Sequence, residues 1–327
     1  MRAKKAWHLG LLPAAMITVG MAVIMAAGMA VSGFGDTASA SEGDLSETCI
    51  SEKTVSGAGI SDEAVLEGGA MTETEQVYLD ESWEWASNSA VHSGCAILYR
   101  CGVEADAAEK KNVTVCVNAG HGCAGGGNYQ TLSHPDGTPK ITGGTNANGA
   151  VYSTAISTGM EFMDGTSEAS VTLMVAQELK DKLLEDGYDV LMIRDGEDVQ
   201  LDNIARTLIA NHCADLHVAI HFDGTQTDKG AYFCSVPEDT SYRTMEPVAS
   251  CWEKHMALGQ SLLQGLTENG FWLFDGGAMP TDLTQTSYST IPSVDIELGD
   301  RASDHTANAC ERYAQALKDG IDLYVTS

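Results

Sequence analysis

Three residues far apart in the sequence, His121, Glu168 and His221, each stand at an end of an apolar or amphipathic run. His121 follows Val113-Thr114-Val115-Cys116-Val117, Glu168 opens a helical pattern, and His221 closes Leu216-His217-Val218-Ala219-Ile220. Two imidazoles and one carboxylate are what a protein gives a catalytic zinc ion (Zn2+) when the fourth position must stay open for water. A fourth group, Glu297 in Val294-Asp295-Ile296-Glu297-Leu298-Gly299, repeats the placement of a polar side chain at a strand's end. Its carboxylate is suited to take a proton from a metal-bound water.

Other residues of these types read as structural. His217 shares the predicted strand with His221, but four steps of roughly 3.3 Å put their Cα atoms about 13 Å apart, too far for one ion. His134, His212, His255 and His305 lack a paired ligand at an informative spacing, and of these His134, inside a long loop, is the one to follow. Arg206 is expected to pair with a nearby carboxylate or carbonyl. The nine cysteines, none before residue 41, leave at least one thiol unpaired within a monomer. Cys95 and Cys101 are close enough for a local bridge, and Cys116 sits in a strand as a small hydrophobe. Cys123, two residues after His121, could approach the metal, but a fourth protein ligand would close the position that catalysis needs.

The elements that must position these groups follow from periodicity. From Val113 onward, strand and helix signals alternate, which favours an α/β layer architecture with a largely parallel sheet. A strand over 113–117 precedes a helix over 168–184 that carries Val171, Val175, Leu179 and Leu183 on one face, with Ser167 as N-cap and Gly187 as stop. Strand 189–193, helix 201–210, strands 217–220 and 231–235, helix 251–268, strand 293–296 and helix 308–324 complete a single domain. In such sheets the ligand crevice lies beyond the carboxyl ends of the strands. His121, His221 and Glu297 are therefore expected just past strand ends on one edge, with Glu168 held on the first turn of a helix.

Residues 1–40 read as an export signal. Arg2, Lys4 and Lys5 precede an apolar stretch from Leu9 to Val31, and Ala38-Ser39-Ala40 has the small residues that signal peptidase cuts after. The stretch is long enough to span a bilayer, so a retained anchor through residues 9–31 is the alternative; in both cases the rest of the chain faces outward. The formal net charge is −28, and loss of residues 1–40, with three basic residues and one acidic, leaves −30. Such a balance disfavours nucleic acid and anionic membrane surfaces as partners.

Residues 41–111, rich in Ser, Gly, Thr and acidic side chains without a sustained period, read as an acidic flexible spacer. Its exception is the cluster of Trp83, Trp85 and Ala96-Ile97-Leu98-Tyr99, apolar enough to pack on the domain that follows or to form a substrate-binding patch. That domain is placed at 112–327. Within it, His121 and Glu168 are separated by a glycine-rich connection, 124–167, that begins and ends at proposed ligands. Connections of this length are usually functional loops or disordered insertions, so it is read as a wall or lid over the groove, or as a surface insertion.

The order and local sequence of the four site residues resemble the zinc-dependent N-acetylmuramoyl-L-alanine amidases of bacterial cell walls. The matching stretches are Val117-Asn118-Ala119-Gly120-His121-Gly122; the Glu168 helix running into Gly187-Tyr188-Asp189-Val190-Leu191-Met192-Ile193-Arg194; Arg206 through Asn211 to His221; and Ile291-Pro292-Ser293-Val294-Asp295-Ile296-Glu297-Leu298-Gly299. The resemblance, which runs from about Val113 to the C-terminus, implies an α/β single domain with a twisted, largely parallel mixed sheet flanked by helices on both faces. It implies one zinc held by His121, Glu168 and His221, Glu297 as the catalytic carboxylate, and peptidoglycan as substrate, cut between N-acetylmuramic acid and L-alanine by an extracellular or cell-wall-associated enzyme. The chain departs from the family pattern at Asn118 and Ala119, where aspartate and proline are common, at Cys123 for glycine, at Asp223 for asparagine, and in Leu298-Gly299-Asp300-Arg301. Similar ligands would also serve another zinc peptidase of the wall, and a relative without turnover would remain a peptidoglycan-binding module.

Overall fold

The segment Ser293–Asp300 shows how the sequence divides this molecule's sheet into two unlike faces. Side chains alternate across a strand, and here Val294, Ile296 and Leu298 enter the main apolar cluster, which leaves Ser293, Asp295 and Glu297 to the opposite side. The structure, a computed structural model, describes residues 64–65, 71–102 and 110–327. Residues 1–40, read as a signal or anchor, lie outside the described residues, as does much of the expected spacer.

In chain order the strands are β1 (Ala64–Val65), β2 (Met71–Thr72), β3 (Thr74–Val77), β4 (Ala96–Tyr99), β5 (Thr114–Ala119), β6 (Gln130–Leu132), β7 (Tyr152–Thr154), β8 (Asp189–Met192), β9 (Leu216–Asp223), β10 (Ala231–Ser235), β11 (Leu273–Pro280) and β12 (Ser293–Asp300). The helices are α1 (Glu168–Glu185), α2 (Asn203–Cys213), α3 (Thr240–Arg243), α4 (Val248–Glu268), α5 (Thr284–Tyr288) and α6 (Ala307–Val325). Eight strands form one sheet in the order β11-β10-β12-β9-β5-β8-β4-β3. The pairs β10/β11, β9/β12, β5/β9 and β5/β8 are parallel, whereas β10/β12, β4/β8 and β3/β4 are antiparallel. This is the single α/β domain with a mixed, largely parallel sheet that the sequence pattern implies.

Each face has its own core. Val115, Val117, Val190, Met192, Val218, Ile220, Val294 and Ile296 pack against the apolar stripes of α1, α4 and α6. Cys116 and Leu191, on alternate positions of the same strands, pack with Ile204, Leu208 and Ile209 of α2 and with Tyr288 of α5. Helix starts are set by side chains that satisfy the free N–H groups of the first turn. Ser167 accepts from Ser170 N at α1, Asp202 from Ala205 N at α2, and Thr306 from Ala309 N at α6. Gly187, with φ of 87°, follows α1 as its sequence position suggested.

Three expectations are corrected. The flexible spacer over 41–111 fails for residues 71–102, because β4 pairs antiparallel with β8 and β3 pairs with β4. Ala96 and Leu98 are buried in the second core, Trp83 stacks on His212, and Trp85 meets Tyr288 edge-on. The 112–327 domain boundary therefore falls too late. The composition misled because β3 is the outermost strand: Glu75 and Gln76 are exposed and little of it needs to be apolar. His221 and Glu297 lie within their strands rather than past the ends, since the β9/β12 ladder continues through the pair Glu297–His221 to Asp300–Asp223. Finally, Cys95 and Cys101 are free, as are all eight cysteines among the described residues.

The 124–167 connection is folded. It contains the antiparallel hairpin β6/β7 and is pinned to the body by one buried carboxylate, Asp282, in the loop before α5. Asp282 accepts hydrogen bonds from Ile141 N at 2.8 Å, Thr142 N at 3.0 Å, the Thr142 hydroxyl and His134 Nε2 at 3.0 Å. His134, the loop histidine singled out in the sequence, is thus a structural tie.

Candidate metal centre

The chain brings the three dispersed ligands together at one point. Nε2 of His121 lies 2.9 Å from Oε1 of Glu168, and Nδ1 of His221 lies 3.0 Å from His121 Nε2 and 3.1 Å from Glu168 Oε1. Tetrahedral ligands about 2.1 Å from an ion would be roughly 3.4 Å apart, so the three donor atoms fit a single divalent metal. Among the described residues this is the one cluster of three or more such ligands.

Each ligand is held by its own element. His121 stands two residues past β5, where the ladder with β9 continues through Gly120 N to Ile220 O at 3.1 Å. It adopts φ of 64°, a left-handed conformation that non-glycine residues seldom take and that clusters at functional sites. Its Nδ1 donates to Ser157 O at 2.8 Å, which leaves the Nε2 lone pair free for a metal. Glu168 occupies the first turn of α1, where the helix dipole favours a negative charge. Its Oε1 accepts from Phe222 N at 3.0 Å and its Oε2 from Met160 N at 2.8 Å. Burial opposes the carboxylate, yet the adjoining His121 and His221 imidazoles hold Glu168 well below the usual carboxylate range.

Two glycines make room. A Cβ on Gly120 would meet His221 Cε1 at 2.4 Å, and one on Gly159, with φ of 81°, would meet the His121 ring at 2.9 Å. Behind the ligands, Arg206 is buried and ties the strand end together, donating to Asn118 Oδ1, Ala119 O and His121 O at 3.0, 3.1 and 2.7 Å. This is the carbonyl pairing expected of it. Arg194, two residues past β8, holds Gly120 O at 2.9 Å and Ala169 O at 2.7 Å, and so links the His121 turn to the Glu168 helix. His217 is a core residue: burial pulls it down to about 3, and its Nε2 meets Asn118 Nδ2 at 3.1 Å.

Glu297 lies beside His221 in the β9/β12 register and on the wall of the same cleft. Its Oε2 is enclosed without a hydrogen-bond partner. Burial, with Asp295, Glu168 and Asp223 nearby, pushes its carboxyl well above the ordinary range against the pull of His221. Asp295, two residues earlier and on the same face, was not singled out in the sequence; its Oδ2 is 3.7 Å from His221 Nε2. The alternation Ser293-Val294-Asp295-Ile296-Glu297 was the available signal, since it sends both acidic side chains to one face. Burial works against a charged His221, but Asp295, Glu168 and Glu297 together hold it up at about 10.

The cleft over these groups has a volume of about 370 Å³. The 124–167 segment supplies one side of it, from Lys140 through Thr145 and Ser153 to Met160, so of the two readings of this connection the structure gives the wall. Cys234, Thr281 and Gln285 also line the cleft. Cys123 does not join the ligands; it packs with Val91 and Ile156. His255 accepts from Ser293 N, and His305 pairs with Asp164, so neither serves a metal.

The family model described as N-acetylmuramoyl-L-alanine amidase matches residues 115–323, more than half of the chain. Solved structures with the same fold include the N-acetylmuramyl-L-alanine amidase Ami1 from Mycobacterium smegmatis, with a TM-score of 0.52 and 19% identity over 66% of this chain and 97% of that one. The apo form of Ami1 from Mycobacterium abscessus gives a TM-score of 0.51 and 20% identity over 65% and 98%. No match is found among curated protein sequences. Since the family model covers residues 115–323, the chain belongs to the N-acetylmuramoyl-L-alanine amidase family.

Proposed function

We propose that this chain is a zinc-dependent amidase that releases stem peptides from peptidoglycan by cutting the bond between N-acetylmuramic acid and L-alanine. The observation that carries the metal dependence is the convergence of His121 Nε2, Glu168 Oε1 and His221 Nδ1 within 3.1 Å of one another. Two imidazoles and one carboxylate leave an open position, the donor set of catalytic zinc. A zinc ion bound there supplies a water of lowered pKa and a Lewis acid for the scissile carbonyl.

The residues of the chain do the rest. Glu297, at the cleft beside His221, accepts the proton of the attacking water and returns it to the leaving amine of L-alanine. Burial raises the affinity of this enclosed carboxyl for protons, which favours its taking up the water's proton before handing it to the leaving amine. The 124–167 wall and the residues facing it bind the muropeptide and exclude bulk water. Digestion of purified peptidoglycan tests the assignment of Glu297: the Glu297→Gln protein should retain its zinc and lose about 10²- to 10⁴-fold in rate. Equal rates for the two proteins would remove Glu297 from the reaction.

Export belongs to the same reading. The basic residues 2–5, the apolar run 9–31 and Ala38-Ser39-Ala40 support a signal or anchor that carries the domain to the wall. N-terminal sequencing of the protein recovered from culture medium and from membranes tests it: a start near residue 41, or an intact N-terminus in the membrane fraction, is expected, and a wholly internal protein would contradict it.

A further inference from the structure

The two histidines at the centre present opposite nitrogens to the metal. His121 offers Nε2 because its Nδ1 donates to Ser157 O at 2.8 Å. His221 offers Nδ1, which faces Glu168 Oε1 at 3.1 Å, so in the metal-binding form its proton must sit on Nε2. The acidic group toward which that Nε2 turns is Asp295, with Oδ2 3.7 Å away.

We propose that Asp295 is a positioning residue for His221: it selects the tautomer with Nδ1 free, aims the ring at Glu168 and His121, and thereby strengthens the metal site. The inference rests on the metal reading above. The backbone builds the arrangement. Asp295 and Glu297 are two apart on β12 and so share a face, and parallel pairing with β9 aligns Asp295 with Ala219 and Glu297 with His221. Ala219 has no side chain long enough to come between Asp295 and the imidazole two residues on. Asp295 itself is little exposed, at 15% of its side chain, which strengthens its field on the ring.

Such a carboxylate acts on a metal it never touches. It fixes the orientation of the ligating ring and makes the ligating nitrogen more basic, and loss of outer partners of this kind commonly weakens metal binding about 10- to 100-fold. The two histidines are then held by different means, His121 by a backbone carbonyl and His221 by a side chain. Only the second can be altered by substitution without disturbing the chain path.

Zinc affinity, measured by competition with a chelator on the metal-stripped protein, tests the inference. The wild type is compared with His121→Ala, Asp295→Leu and Asp295→Asn, and urea unfolding of each protein without metal is recorded alongside. Asp295→Leu should bind zinc about 10- to 100-fold more weakly than the wild type, while its metal-free unfolding stays a single cooperative transition, which shows that the variant is folded. Asp295→Asn, which keeps an oxygen acceptor for Nε2–H, should recover part of the loss. Wild-type affinity in Asp295→Leu, with His121→Ala clearly weaker, would overturn the role of Asp295 and leave the metal site standing. Equal affinities for wild type and His121→Ala would overturn the metal site, and this inference with it.

Discussion

His121, Glu168 and His221 are each over-determined by contacts that do nothing else. A left-handed backbone at His121, a carboxylate at Glu168 with both oxygens accepting from main-chain N–H groups, and room left at Gly120 and Gly159 hold three polar side chains against one another. Strain at a non-glycine left-handed residue costs on the order of 1–3 kcal/mol, and close packing of polar donors is tolerable only with something to bind. Metal should therefore stabilise the fold. At a free zinc concentration one hundred times the dissociation constant, linkage gives about 2.7 kcal/mol, which differential scanning calorimetry with and without chelator can read. His121→Ala should abolish that increment, and an unfolding temperature unmoved by zinc in the wild type would contradict the site. The four residues of the proposed site were legible in the sequence because each follows or opens a strongly patterned segment. Asp295 was not, since an acidic residue two places from another reads equally well as a solvated face until the strand's register is known.

At the scale of elements, the 124–167 wall depends on Asp282. Burial alone would raise this carboxyl, but hydrogen bonds from His134 and Thr142, Lys140 nearby and the Ile141 N–H bring it down to about 2. A carboxylate whose folded pKa lies below its unfolded value of about 3.9 adds stability that is present above that unfolded value and lost as the pH falls toward 2. The wild type should thus lose stability to urea between about pH 4 and pH 2 more steeply than Asp282→Asn, and at pH 7 the variant should be less stable by roughly 2–4 kcal/mol. Parallel pH profiles for the two proteins would remove Asp282 as the tie. Neither this tie nor the hairpin β6/β7 could be read from the sequence, because glycine-rich stretches with few apolar residues give no period, and the partner of the loop lies more than a hundred residues away. The long helices α1, α4 and α6 were legible for the opposite reason: each repeats an apolar stripe over four or five turns and α1 carries its own cap. Strand β11 escaped because Asp275-Gly276-Gly277 breaks its alternation, with all three residues at positive φ.

The described residues build a sheet with a core on each face, one packed by α1, α4 and α6 and the other by α2 and α5. Its edge is completed by residues outside the region matched by the family model, since β3 and β4 precede residue 115. A shortened chain beginning at residue 110 would leave the β8 edge unpaired and Leu191 and Ile193 without Ala96 and Leu98, and unpaired apolar edges invite association. It should melt at lower temperature and run as aggregates in size-exclusion chromatography; a monomer as stable as the longer chain would show that β3 and β4 are dispensable. The central claim, that this fold and its metal centre act as an amidase on peptidoglycan, is tested most directly by mass spectrometry of purified peptidoglycan incubated with the zinc-loaded protein. The account predicts free stem peptides with L-alanine at the N-terminus, together with glycan chains whose muramic acid carboxyl groups are free. Peptides cleaved elsewhere in the stem, or no soluble product from protein shown to hold its zinc, would contradict it.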